Sequence, residues 1–81
     1  MPLHFRNRRE IHEWLRSISS LDSRQRDAVE QAMVEQIDAG GISKEEVDYK
    51  LLKTLRSLRD RGTIGSADYS ALETELRALY Q

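Results

Sequence analysis

The chain has 81 residues and a mass of 9.4 kDa, enough for one small domain and too little for a deep active-site cleft. It contains no Cys, which excludes disulfides, thiolate metal sites and cysteine nucleophiles. Its apolar runs, such as Ala32-Met33-Val34, fall far short of the roughly 20 residues that cross a bilayer. Thirteen Lys and Arg against 14 Asp and Glu leave a formal charge of −1, and a pI near 6.1 argues against a dedicated nucleic-acid binder.

Residues 1–6 show no clean period and are expected to form a flexible lead-in, although Leu3 and Phe5 are apolar enough to dock. The start is basic but has no apolar stretch behind it, so no secretory signal is expected. From Asn7 a helix is predicted. Ile11, Trp14, Leu15 and Ile18 fall at i, i+3, i+4 and i+7, with Asn7 as N-cap and Glu10 completing a capping box. Ser19-Ser20 should end it, because their hydroxyls compete for backbone hydrogen bonds. A second helix is predicted from about Asp22 to Ala39, opened by an Asp22/Gln25 capping box and stopped by Gly40-Gly41. Leu21, Ala28, Val29, Ala32, Met33 and Ile37 make its apolar stripe, and Val34 lies off it.

The third helix has the clearest start. Ser43-Lys-Glu-Glu46 is a capping box, and Ile42 and Val47 occupy the two places of a hydrophobic staple. Val47, Leu51, Leu55 and Leu58 line one face and Leu52 widens it, while Tyr49 falls off the stripe. Arg56, Arg59 and Arg61 gather at the C-terminal end, where the helix dipole favours cations, and Gly62 closes the helix. A fourth helix begins near Gly65 or Ser66 with Asp68 in its first turn and a stripe of Tyr69, Leu72, Leu76, Leu79 and Tyr80. No segment alternates convincingly between apolar and polar. The expected fold is all-α, a compact single domain of about four short helices arranged as two helical hairpins.

Two segments share an order of features. Gly41-Ile42-Ser43-Lys-Glu-Glu46-Val47 leads to Leu51-Leu52 and Leu55; Gly62-Thr-Ile64-Gly-Ser-Ala-Asp68-Tyr69 leads to Leu72 and Leu76. Gly turns the chain, Ile pins the entry angle and the acid satisfies free amides. Any tight helix–turn–helix corner wants these residues, so duplication and convergence both fit. Read with the preceding helix, Leu55-x-x-Leu58-x-x-x-Gly62-x-Ile64-x-x-x-Asp68-Tyr69 followed by Leu76 resembles the SHOCT domain, a short two-helix module common at bacterial C-termini. The likeness covers about residues 55–76, with a weaker second copy at about 37–55. Gly65 stands where that family usually has Ser or Thr, and Leu72 and Glu73 stand where it favours Lys. The resemblance implies a small helical interaction or oligomerisation element in a bacterium or phage, not a catalyst.

Chemistry-bearing constellations are sparse. His4 and His12 are the only histidines, and without Cys they do not make a structural zinc set; no metal or other cofactor is expected. Glu45-Glu46 and Glu73-x-Glu75 splay on a helix, while Glu10 and Glu13 share a face with Arg6, Arg9 and Arg16 as pairing partners. The Ser residues sit mostly at helix boundaries as caps. Residues 30–59 could be read as a helix-turn-helix, but Glu45, Glu46 and Asp48 at the start of the second helix would repel phosphate.

The charge is unevenly placed. Residues 1–26 hold six Arg against Glu10, Glu13 and Asp22, whereas residues 27–81 hold seven Lys and Arg against eleven acids. The function expected is therefore a non-enzymatic, cytoplasmic protein–protein interaction or oligomerisation module, a homodimer or the binder of a larger partner. It would use Trp14, Val34, Tyr49, Tyr69 and Tyr80, with no membrane involved. The alternative is a nucleic-acid-binding regulator contacting phosphate through Arg6, Arg8, Arg9 and Arg16.

Overall fold

The computed structural model describes residues 3–37 and 40–81. Four helices follow in chain order: α1 (Arg8–Arg16), α2 (Ser23–Val34), α3 (44–60) and α4 (Ser66–Leu79). Among the described residues there is no strand, only one antiparallel bridge between His4 and Ile42, so the chain is all-α. Arg8 and His12 near the start of α1 reach Glu30 near the end of α2, which makes α1/α2 an antiparallel hairpin. Asp48 early in α3 meets Arg77 late in α4, while Arg59 late in α3 covers Tyr69 early in α4. This is the second hairpin. Helix α2 packs on α3 and joins the two.

The caps form largely as their residues dictate. Asn7 Oδ1 accepts from Glu10 N–H at 3.0 Å, and Asp22 and Gln25 exchange both bonds of a capping box at 2.8 and 3.1 Å. Glu10 departs from the expected reciprocal bond. Its carboxylate turns upstream and accepts from the N–H groups of Phe5 and Arg6, at 3.1 and 3.2 Å. Phe5 has φ 61°, a left-handed conformation uncommon for a bulky residue. These two bonds hold it there while its ring enters the core.

The structure differs from expectation in four places. Helix α1 stops at Arg16, where Ser17 Oγ donates to Trp14 O at 2.6 Å, so Ile18 and Leu21 enter the core from a folded loop and not from a helix. Helix α2 stops at Val34 and not near Ala39, which lies outside the described residues. Glu35 and Gln36 expose polar side chains there, and Gln36 N–H turns back to Met33 O at 2.9 Å in the tighter three-residue pattern of a fraying end. Helix α3 is not regular: Val47–Leu52 is π-helical, with Lys53 N–H reaching Asp48 O five residues back. Val47, Leu51, Leu52 and Leu55 all enter the core along this wider turn and the helix after it. Finally, residues 3–6 are docked, not a loose lead-in. His4 exchanges backbone bonds with Ile42 at 3.2 and 2.8 Å, and Phe5 is 1% exposed.

The core runs from Phe5, Ile11 and Leu15 through Val29 and Met33 to Leu51, Leu55, Leu72 and Leu76, all essentially inaccessible. Each large side chain buried this way contributes about 1.5–3 kcal/mol from removed apolar surface. A radius of gyration of 11.4 Å matches the roughly 12 Å of a compact chain this long.

Candidate protein-binding surface

Of the five aromatic and aliphatic residues expected to meet a partner, only Tyr49 is presented to solvent, at 60% exposure. Trp14 is half-buried and meets the Phe5 ring edge-to-face at 5.3 Å, so it is mainly a packing residue. Val34 is partly buried against the core. Tyr69, 8% exposed, lies beneath the Arg59 guanidinium, 4.7 Å from its ring centre. Tyr80 is 3% exposed; its hydroxyl donates to Ile42 O at 2.6 Å, its ring stands edge-on to His4 at 4.8 Å, and burial pushes its phenol up to about 12. Tyr69 and Tyr80 are therefore less accessible to a partner than Tyr49. Tyr69 lies on the core-facing stripe of α4 and Tyr80 just past its end, and both are largely spent on the fold.

The basic segment is not gathered into a free patch either. Arg8 Nε donates to Glu30 at 2.6 Å and Arg9 Nε to Glu13 at 3.2 Å. Arg6 lies against the Gly41 backbone, and Arg16 stands exposed in the last turn of α1. Glu30 is the residue that sequence reasoning missed. It is buried between the two helices of the first hairpin and takes Arg8 on one oxygen and His12, at 2.7 Å, on the other. Burial pushes its carboxyl up, but the bonds from Arg8 and then His12 outweigh that and hold it below the usual carboxylate range. His12 is thus engaged and not merely a helix-surface residue. The signal was available only once the hairpin was drawn, because the partners lie 18 and 22 residues away.

Tyr49 stands at the head of a shallow groove between α2 and α3. One depression of about 380 Å³ is lined by Ala32, Glu35 and Gln36 from α2 and its end and by Tyr49, Lys53, Thr54, Ser57 and Arg61 from α3 and its end. A second, of about 260 Å³, continues it past Ala28, Gln31, Leu58 and Thr63 and shares Ala32, Glu35 and Arg61. The π-helical turn contributes directly: it carries Tyr49 on the outer, groove-lining face and Val47, Leu51 and Leu52 on the inner one. Small side chains, Ala28, Ala32 and Ser57, leave the floor open. The charged walls differ in sign, Glu35 on α2 against Lys53 and Arg61 on α3. Among the described residues none of these three forms an ion pair.

No group of three or more metal-ligating side chains comes together among the described residues, and no helix there is long and apolar enough to cross a membrane. The hydroxyls of Ser17 and Thr54 are spent on backbone carbonyls. The chain matches no protein-family model, no curated protein and no solved structure.

Proposed function

We propose that this chain is a helical protein-interaction module that docks on the α2–α3 face with Tyr49 as its anchor. The observation that carries this reading is the contrast among the tyrosines: two are consumed by the core, and the third projects from a π-helical turn beside an open, small-residue groove. Tyr is enriched where interfaces draw their energy, because it combines a large apolar face with a polar tip. Commitment of both histidines to structural contacts, His12 to Glu30 and His4 to Ile42 and Tyr80, supports an interaction role over catalysis. The SHOCT-like spacing of residues 55–76 points the same way, and a cysteine-free composition suits the cytoplasm of a bacterium or phage-infected cell. Nucleic-acid binding through the N-terminal arginines is the weaker reading, since Arg8 and Arg9 already face carboxylates.

A photo-crosslinking side chain placed at position 49 in cells tests this. Adducts should form from position 49 and not from the exposed α4 position 67. No adduct from 49, or an equal yield from 67, overturns the reading.

A further inference from the structure

We infer that the occupant of the α2–α3 groove is a second copy of this chain, related by a two-fold axis running along the groove. The inference rests on the reading of that face as a docking surface and is selected by its charges. Glu35 on the α2 wall and Lys53 and Arg61 on the α3 wall line the same stretch of the groove. A two-fold axis lying along it sets α2 of each copy opposite α3 of the other, at the same height. Glu35 then faces the second copy's Lys53 and Arg61, and the same pairs form a second time by symmetry. A two-fold axis across the groove instead lays α3 on α3 and crowds the cations together. Only the first arrangement pairs opposite signs.

Shape agrees with charge. Tyr49 projects from the α3 wall, and the α2 side of the same depression is cut back at Ala32. Each copy thus supplies a protrusion and a recess, as a self-complementary interface requires. The lining spans residues 49–61 of α3, a length of about 18 Å, and two helices side by side are about 20 Å wide. A footprint on the order of 360 Å² per copy falls below the roughly 800 Å² per partner of a stable complex. The dimer is accordingly weak, and sensitive to salt because its charges sit at the rim.

Sedimentation of the full chain tests this from about 5 μM to about 1 mM at low salt. The expected weight-average mass rises from that of the monomer toward twice that value. Glu35→Lys and Lys53→Glu each place like charges in both copies of the contact, so each alone should dissociate at least about tenfold more readily. Mixed in equal amounts they should pair, because every Glu35→Lys site then meets a Lys53→Glu site. Circular dichroism confirms that both variants, altered at exposed positions, remain folded. A wild-type chain that stays monomeric at the highest concentration overturns the inference. So does a dimer indifferent to both reversals, which must use another face. If the wild type is monomeric but crosslinks from position 49 to a chain of different mass, the docking surface stands and only its occupant is wrong.

Discussion

The corners leading into α3 and α4 are built from the same parts and differ in what leans on them. In the first, Gly41 has φ 80°, Ile42 is fully buried and Glu46 Oε1 accepts from Ser43 N–H at 2.9 Å. In the second, Gly62 has φ 81°, Ile64 is buried and Asp68 Oδ2 accepts from Gly65 N–H at 2.9 Å. Around the first corner, however, both ends of the chain converge. His4 bridges to Ile42, and Ile42 O takes two donors, His4 N–H at 3.2 Å and the Tyr80 hydroxyl at 2.6 Å. The second corner buries Ile64 but has no such bridge; from another helix it receives the Gln25 amide on Asp68 at 2.9 Å. One local code therefore serves two tertiary purposes, a clasp and a plain turn.

The glycines should separate the two most widely. A Cβ on Gly62 would meet nothing within 4 Å, so Gly62→Ala bears only the left-handed backbone penalty, about 1–2 kcal/mol. A Cβ on Gly41 would lie 3.0 Å from Arg6 Cγ and 3.1 Å from His4 O. Arg6 can swing aside, but the His4 carbonyl is backbone in the bridge. Gly41→Ala should therefore add an overpacking cost of about 1–3 kcal/mol to the same dihedral penalty. Urea unfolding of both variants measures the gap. Equal losses would mean that the N-terminal segment yields without cost and that the clasp is not one.

The next largest effect belongs to the hydroxyl closing the clasp. Tyr80→Phe keeps the ring against His4 and Phe5 but removes one donor from a buried carbonyl, a loss of about 1–1.5 kcal/mol. Tyr69→Phe keeps the ring beneath Arg59 and should stay within about 0.5 kcal/mol of wild type. The Tyr80 phenol also carries a pH signature. Its folded-state value is raised, by burial, to about 12, so its contribution is complete below the ordinary value near 10 and fades as pH climbs from there toward 12. Melting temperatures across that alkaline range should fall in the wild type and fall less in Tyr80→Phe. Parallel curves would contradict the assignment.

What was legible in the sequence follows the same division. Caps and corners are written locally: Asn7, Asp22 and Ser43 at helix starts and Gly41 and Gly62 at turns act within a few residues, and they stand where their chemistry puts them. The four-helix all-α fold follows from the same periodicity. The clasp was not legible, because His4 and Tyr80 meet Ile42 from far away in the chain and each looks like a terminal residue in sequence. Glu30 was obscured for the same reason, its partners lying on the other arm of a hairpin. The π-helical turn, in which Leu51 and Leu52 are both buried, was not legible in the helical repeat. Of the candidate surface, Tyr49 could be named because it falls off its stripe. The groove beside it needed α2 and α3 in place.

The smallest effect tests whether the acids of the two corners are themselves alike. Glu46 accepts from Lys50 Nζ at 2.7 Å as well as from the Ser43 backbone, and these bonds hold its carboxyl at about 2, well below the ordinary value of 4.5. A carboxyl depressed in the folded state contributes fully above its unfolded value, and that contribution is lost as pH falls from about 4.5 toward about 2. Glu46→Gln keeps an oxygen for Ser43 N–H but carries no charge for Lys50, so its stability should depend less steeply on pH across this acid window. At neutral pH the variant should be only slightly weaker than wild type, since the Glu46–Lys50 pair lies near the surface, where such bridges contribute little. Thermal melts between about pH 2.5 and 6 read the slope directly. If the wild type and Glu46→Gln run parallel throughout, the Lys50 bridge adds nothing to the clasp. The first corner would then differ from the second only in the two chain ends that rest on it.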